Sequence, residues 1–148
     1  YDYPIIRYAE VLLNYAEAMV NAYGDPDYTG SYSLSARDAV NQVRNRGDVK
    51  MPAYPADMSK DAFLKRLKNE RRVEFAFEGQ RFWDLRRWKE LDNMQNIYKV
   101  KVVKQTDGTI QYTKALHATY NIQDKMYFYP ISNTELFKNH KLVQNTGW

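Results

Sequence analysis

Glu70 and Glu74 are the residues whose type and spacing come nearest to a catalytic pair. They lie four positions apart in a stretch with helical periodicity, so their carboxyl groups would project from one helix face. Two carboxyl groups about 5 Å apart could act as the nucleophile and general acid of a retaining glycosidase. A general acid must hold a proton, however, and Arg71, Arg72 and Arg81 lie nearby and favour ionised carboxylates. The surroundings disfavour catalysis, and a glycoside hydrolase using both glutamates stays as an alternative.

The same two glutamates could bridge metal ions. Carboxylate-bridged sites in helical proteins also need Glu-x-x-His pairs from other helices. The chain has two histidines, His117 and His140, and both fall in late segments that we predict to be loop-like. The chain has no cysteine, and it contains no P-loop, dinucleotide-binding glycine pattern or nucleophile elbow. We therefore expect neither a metal site nor a cofactor.

Composition indicates one folded domain. The 148 residues are 44% hydrophobic and 27% charged, which is typical of a globular protein. The net charge of +4 is spread among interspersed acids, which does not favour nucleic-acid binding. No segment approaches the roughly 20 apolar residues of a membrane span. The chain lacks an initiator methionine and a signal peptide, so we expect it to be the C-terminal part of a longer protein.

The stretch from Glu70 to Trp88 interleaves acids, arginines and aromatic residues, whereas an ordinary amphipathic helix separates them. It is either a binding surface or a network of ion pairs packed against aromatic rings. We favour the structural network, with pairs at three-residue spacing and an arginine stacked on Phe82 or Trp83. Its predicted members are Glu70, Arg71, Glu74, Glu78, Arg81, Asp84 and Arg87, paired as Arg71–Glu74, Arg81–Asp84 and Asp84–Arg87.

Tyrosine is over-represented, with 13 residues. Its ring is amphipathic, and a sugar can stack an apolar face on the ring while its hydroxyls find polar partners. The tyrosines predicted to lie outside helices are therefore the candidate ligand contacts, although each could equally be a packing residue. They are Tyr28, Tyr32, Tyr54, Tyr112 and Tyr120.

Helical periodicity predicts four helices. The first begins at Asp2 and Pro4 and stops at Gly24, and the second begins with a capping box at Ser35 and ends at Gly47. Together they form one hairpin over about 3–47. A third helix is capped by a serine at 59, and a fourth runs to about 91, with a glycine at 79 between them. These two helices form a second hairpin over about 59–92.

Beyond the helices the period changes to two. Asp107-Gly108 predicts a two-residue turn, and hence a β-hairpin over about 97–115 with Val103 facing Tyr112. Residues 127–148 are predicted to be an ordered, irregular tail with a brief helical turn capped by Asn133 or Thr134. The predicted fold is therefore mainly α-helical, with TPR-like hairpins, a small β-hairpin insertion and an irregular C-terminal segment.

Four segments stand out in order along the chain: Ile6-Arg7-Tyr8-Ala9-Glu10-Val11-Leu12-Leu13 with Tyr15-Ala16-Glu17-Ala18; Ala39, then Val40-Asn41-Gln42-Val43-Arg44-Asn45-Arg46; Asn69-Glu70-Arg71-Arg72 through Glu78-Gly79-Gln80-Arg81-Phe82-Trp83-Asp84-Leu85-Arg86-Arg87-Trp88; and Tyr129-Pro130-Ile131, Thr134-Glu135-Leu136, then Gln144-Asn145-Thr146-Gly147-Trp148. Through these segments the chain resembles the C-terminal half of the SusD/RagB family over nearly its whole length. It departs from the family where Ser132 and Thr146 replace the usual prolines.

This resemblance implies a nutrient-binding lipoprotein at the outer membrane and cell surface of a Bacteroidetes-type bacterium. The lipid anchor and the N-terminal half would lie outside this chain. The implied partner is a TonB-dependent transporter of the SusC type, which receives oligosaccharides or, in the RagB branch, peptides. Family members are not enzymes, and their ligand residues differ too much for any to be transferred here. The tyrosine excess favours a glycan. The alternative is a TPR-type adaptor that binds only protein.

Overall fold

The structure is a computed structural model that describes residues 6–148. This part of the chain contains five α-helices and one two-stranded antiparallel sheet, and the predicted mainly α-helical fold is confirmed. The helices are α1 Tyr8–Tyr23, α2 Ala36–Arg44, α3 Lys60–Glu74, α4 Gln80–Arg87 and α5 Asn133–Lys138, and the strands are β1 Asn96–Lys104 and β2 Ile110–Thr119. The chain divides into two compact units, the first ending at Arg81 and the second spanning Phe82–Trp148.

The core of the first unit lies where α1 packs against both α2 and α3. On α1 the buried stripe is Leu12, Leu13, Ala16, Met19 and Val20, and its small residue allows the helices to approach closely. Phe63 and Leu67 supply the α3 side, and neither is exposed. The buried cluster comprises Leu12, Leu13, Ala16, Met19, Val20, Ala36, Ala39, Val40, Val43, Tyr54, Phe63, Leu67 and Phe75.

The predicted helix starts are right for α2 and α3. The Ser35 hydroxyl accepts from the Asp38 amide and the Asp38 carboxylate accepts from the Ser35 amide, which completes the capping box. Ser59 caps α3 in the predicted way. The predicted start of α1 at positions 2 and 4 lies outside the described residues. Helix α1 itself begins at Tyr8, because Arg7 is its extended N-cap residue.

Two predicted helix ends are wrong. Helix α2 ends at Arg44 instead of continuing to position 47, and α4 ends at Arg87 instead of about 91. In α4 the cause is Lys89, which adopts a left-handed backbone with φ +56°. The Lys89 and Glu90 amides then donate to the carbonyls of Arg86 and Leu85, which closes the helix. Gly79, with φ +79°, does separate α3 from α4 as predicted.

The β-hairpin forms, but its predicted register is wrong by one residue. Val102, not Val103, pairs with Tyr112. Gly108 is left-handed at φ +87° and donates to the Gln105 carbonyl, while the Gln105 amide donates to Thr109. The connection is therefore a three-residue loop with a glycine bulge instead of a two-residue turn. A second irregularity between Ile97 and Tyr98 leaves His117 as the extra residue of β2.

Hydrogen bonds hold the C-terminal tail in place. The Trp148 indole donates to the carbonyls of Lys125 and Phe128. The Gln144 side chain both accepts from the Ile131 amide and donates to its carbonyl. Helix α5 begins at Asn133. Its N-cap residue is Ser132, one residue before the first of the two predicted caps.

Candidate binding site

Four tyrosines gather where α1 leads into the α1–α2 loop, and we call them the tyrosine cluster: Tyr15, Tyr23, Tyr28 and Tyr32. The rings of Tyr23 and Tyr28 stack with centroids 4.1 Å apart and planes 24° from parallel. Tyr32 lies 6.2 Å from Tyr23 and 6.5 Å from Tyr15. Tyr23 and Tyr32 are nearly half exposed. The loop thus presents a group of rings to solvent.

Hydrogen bonds hold hydroxyl groups of the cluster in defined positions. The Tyr23 and Tyr32 oxygens lie 3.3 Å apart, and this hydrogen bond is the main reason that the pKa of Tyr23 is raised. Tyr23 therefore stays protonated at neutral pH and can donate or accept a hydrogen bond. The Tyr15 hydroxyl donates to the Leu34 carbonyl at 2.6 Å. Such groups suit a neutral polyhydroxyl ligand.

Gly30 makes the position of Tyr28 possible. The glycine has φ +51°, and a Cβ there would lie 2.5 Å from the Tyr28 hydroxyl oxygen. Real Cβ atoms essentially never approach a non-bonded atom so closely, so only glycine allows the ring to lie against the loop backbone. Tyr28 is consequently held between this backbone and Tyr23.

Arg37 anchors the loop that carries the cluster. Its buried guanidinium binds both carboxylate oxygens of Asp27 at 2.6 and 2.8 Å, donates to the Pro55 carbonyl, and lies over the Phe63 ring. This bidentate contact lowers the pKa of Asp27, chiefly through hydrogen bonding. A sequence signal existed, because an arginine in the first turn of a helix is unfavourable unless a carboxylate pairs with it.

An open groove of about 530 Å³ runs beside α2. Leu34 belongs to its wall and also accepts the Tyr15 hydrogen bond, so the groove adjoins the tyrosine cluster. Asn41, Gln42 and Asn45 contribute amide groups to the lining. Amide side chains provide both donors and acceptors, as sugar hydroxyl groups require.

The five candidate tyrosines have different positions. Tyr28 and Tyr32 belong to the cluster. The cluster also contains Tyr15 and Tyr23, two tyrosines of α1 that were not among the candidates predicted from the sequence. Tyr54 is not an exposed loop residue: it is 6% exposed, its ring packs edge-on against Phe63, and burial raises its pKa. Tyr112 and Tyr120 are exposed and belong to the second unit.

Glu74 joins three segments of the first unit. Its nearly buried carboxylate accepts from Arg7, which precedes α1, at 3.0 Å and from Arg46, which follows α2, at 2.5 Å. Arg7 also binds both oxygens of Glu78 at 2.7 and 3.0 Å. These hydrogen bonds raise the pKa of Arg7, that to Glu78 contributing most. Arg7 and Arg46 are thus long-range partners of Glu74, in addition to the pairs along one helix that the sequence predicts.

Glu70 and Arg71 also contact other elements. Glu70 forms an ion pair with Arg44 of α2, and its carboxylate lies 3.4 Å from the Tyr54 hydroxyl. Buried Arg71 donates to Asn14 of α1 at 2.6 Å, and its guanidinium lies 5.3 Å from the Phe75 ring centroid. Both glutamates of the sequence-level pair are thus bound by arginines.

Helix α4 carries the rest of the predicted network. Asp84 is buried and accepts from Arg87 at 2.8 Å, which confirms the predicted pair, and Arg81 is half-buried. Arg86 stacks on Phe82, its guanidinium carbon 3.5 Å from the ring centroid, as the interleaved sequence predicts. Within residues 6–148, no group of three or more acidic, histidine or cysteine side chains is placed to hold a metal ion. No helix in this range is both long and apolar enough to cross a membrane.

Comparison with known proteins identifies the family. The sequence pattern of the SusD family matches residues 1–148. The chain belongs to the SusD family. A crystal structure of a SusD-like protein from Bacteroides fragilis superposes with a TM-score of 0.78 over 97% of this chain, at 32% identity. A SusD-like protein, P2, from Formosa agariphila is 33% identical over 93 residues, or 60% of this chain.

This SusD-family chain is much shorter than those relatives. It spans 25% of the Bacteroides fragilis chain, and the matched segment spans 17% of the Formosa agariphila protein.

Proposed function

We propose that this SusD-family protein captures a glycan at the bacterial cell surface without transforming it and delivers it to a SusC-like TonB-dependent transporter. The observation that carries the proposal is the family match over residues 1–148. In this proposal a lipid anchor outside the chain holds the protein at the outer membrane. The ligand is an oligosaccharide, and no cofactor or metal takes part.

The tyrosine cluster is the proposed contact for the glycan. Tyr23 and Tyr32 offer exposed ring surface, and their neutral hydroxyl groups offer donors and acceptors. A pyranose can stack its apolar face on such a ring. The amide-lined groove that shares Leu34 with the cluster would receive a neighbouring sugar unit. Tyr112 and Tyr120 remain proposed contacts in the second unit.

Isothermal titration of the full-length protein against a panel of oligosaccharides tests the proposal. We expect dissociation constants between micromolar and millimolar for one glycan class. Tyr32→Ala and Tyr23→Ala should each weaken binding roughly three- to tenfold, because a stacking contact contributes about 0.7–1.4 kcal/mol. Tyr8→Ala is the matched control, since Tyr8 is an exposed tyrosine of α1 outside the cluster, and it should leave affinity unchanged.

Other outcomes would replace the proposal. Binding of peptides alone would indicate the peptide-binding branch of the family. No heat with any sugar or peptide would favour the protein-binding adaptor. Hydrolysis of an oligosaccharide that Glu70→Gln abolishes would establish the glycosidase alternative.

A further inference from the structure

The segment that carries the tyrosine cluster differs in charge from the rest of the chain. Residues 8–36 contain four acids and no lysine, arginine or histidine. The whole chain, by contrast, contains 22 lysines and arginines and has a net charge of +4. All four tyrosines of the cluster belong to this segment. A ligand at the cluster therefore meets hydroxyl groups and carboxylates of this segment, and no cation from it.

The arginines that follow this segment are already bound to carboxylates of the protein. Arg37 is buried and binds both oxygens of Asp27. Arg44 forms an ion pair with Glu70, and Arg46 pairs with the carboxylate at the end of α3. A guanidinium group in such a pair can balance the charge of an anionic ligand only by giving up its partner, which is costly.

The groove beside α2 has the same charge pattern. Among the described residues that line it, Asp38 is the one that carries a charge. Lys50 precedes the lining residue Met51 in the sequence but is not part of the lining. A carboxylate or sulfate group that entered the groove would meet a like charge, and such a contact is repulsive.

Asp38 and Asn41 lie one helical turn apart in the groove, and each has hydrogen-bonding groups to spare. The Ser35 amide and hydroxyl both donate to Oδ2 of Asp38, at 3.1 and 2.7 Å. The Tyr54 amide donates to Oδ1 of Asn41 at 2.8 Å. Within residues 6–148, Oδ1 of Asp38 accepts no hydrogen bond and the Asn41 amino group donates none. A charged acceptor and a donor thus lie side by side, as two neighbouring sugar hydroxyl groups require.

We propose that this site selects neutral glycans and excludes those that carry uronic acid or sulfate groups, with Asp38 and Asn41 binding neighbouring hydroxyl groups of one sugar unit. Asp38 determines the specificity, because its carboxylate accepts from a hydroxyl group and repels an anionic substituent. This selectivity rests on the proposed glycan capture by the same site and adds the chemical class of the glycan.

Isothermal titration of the full-length protein with matched pairs of oligosaccharides tests the selectivity. Each pair consists of a glucan, mannan or galactan hexasaccharide and the same hexasaccharide with its primary hydroxyl groups oxidised to carboxylates. The neutral member of a bound pair should bind roughly tenfold more tightly at low salt. This ratio should fall as salt is added, because salt screens repulsion between exposed charges. Purely steric exclusion would leave the ratio unchanged.

Asp38→Asn removes the charge and keeps an oxygen that can accept from Ser35. We expect the oxidised hexasaccharide to bind several-fold more tightly to this variant, so that the preference for the neutral form narrows to roughly threefold. Asp61→Asn is the matched control, because Asp61 is also an exposed acid in the first turn of a helix but does not line the groove. It should keep the ratio of wild type, and circular dichroism checks that both variants fold.

The outcomes separate this selectivity from glycan capture itself. Oxidised hexasaccharides that bind wild type as tightly as the neutral ones would overturn the selectivity and leave glycan capture intact. An unchanged ratio in Asp38→Asn would overturn the assignment to Asp38. If no hexasaccharide of either form binds, glycan capture is rejected and the selectivity with it.

Discussion

Glu74 joins three segments of the first unit through one carboxylate. Its side chain is 9% exposed, and its carboxylate accepts from Arg7 and Arg46, which lie 67 and 28 positions away in the sequence. Helix formation alone places none of these groups together. The contact therefore fixes the position of the end of α3 relative to the start of α1 and the end of α2.

Replacing Glu74 should destabilise the protein. Glu74→Ala removes the acceptor of two charged hydrogen bonds, and we expect the free energy of unfolding to fall by about 2–3 kcal/mol in urea denaturation. Glu135→Ala is the control, because its ion pair with Lys138 is exposed on both sides and should contribute less than about 1 kcal/mol. Equal losses in the two variants would contradict a structural role for Glu74.

The α1–α2 loop is the element on which the candidate site depends. Arg37 ties Asp27 in this loop to the Pro55 carbonyl of the next connection, while Gly30 admits the Tyr28 ring. The Asp27–Arg37 ion pair thus anchors the loop, and the Tyr28 ring packs against its backbone.

The Asp27–Arg37 contact should make stability depend on pH. The pKa of Asp27 is lowered in the folded protein from its ordinary value of 3.8, so the contact stabilises fully above that value. The contribution is lost as the pH falls through the lower folded pKa. The difference in melting temperature between wild type and Asp27→Asn should therefore shrink from neutral pH towards about pH 2. Asp124→Asn, in the second unit, is the control. Its melting temperature should change with pH in the same way as that of wild type.

Gly30→Ala should disrupt the tyrosine cluster. The new methyl group would overlap the Tyr28 ring, which must then leave its stack with Tyr23. We expect a changed near-ultraviolet circular dichroism signal and glycan affinity reduced to that of Tyr28→Ala. Gly47→Ala is the control, because nothing lies within 4 Å of the added carbon. An unchanged spectrum would show that the stack does not depend on Gly30.

At the scale of the whole molecule, the two units differ in how well they are packed. The first unit encloses a continuous core among α1, α2 and α3, whereas the second buries few side chains and exposes apolar residues of the β-hairpin such as Val100 and Tyr112.

The sequence by itself determined the elements whose signals are local. Helical spacing, the serine caps of α2 and α3, and the glycine between α3 and α4 depend on residues a few positions apart, so the sequence predicts them correctly. The ordered motifs likewise identified the family. The predicted register of the β-hairpin was wrong by one residue, because Gly108 fits both a two-residue turn and a three-residue loop with a bulge. The structure has the bulged loop.

Only the tertiary structure decided which distant side chains meet. Arg7 and Arg46 donate to Glu74. Two tyrosines of α1 join Tyr28 and Tyr32. Tyr54 is buried instead of facing solvent. These outcomes depend on how the helices pack, because an arginine or a tyrosine can satisfy its contacts with many partners. Periodicity states which residues share a face, but packing alone brings two faces together and excludes water between them.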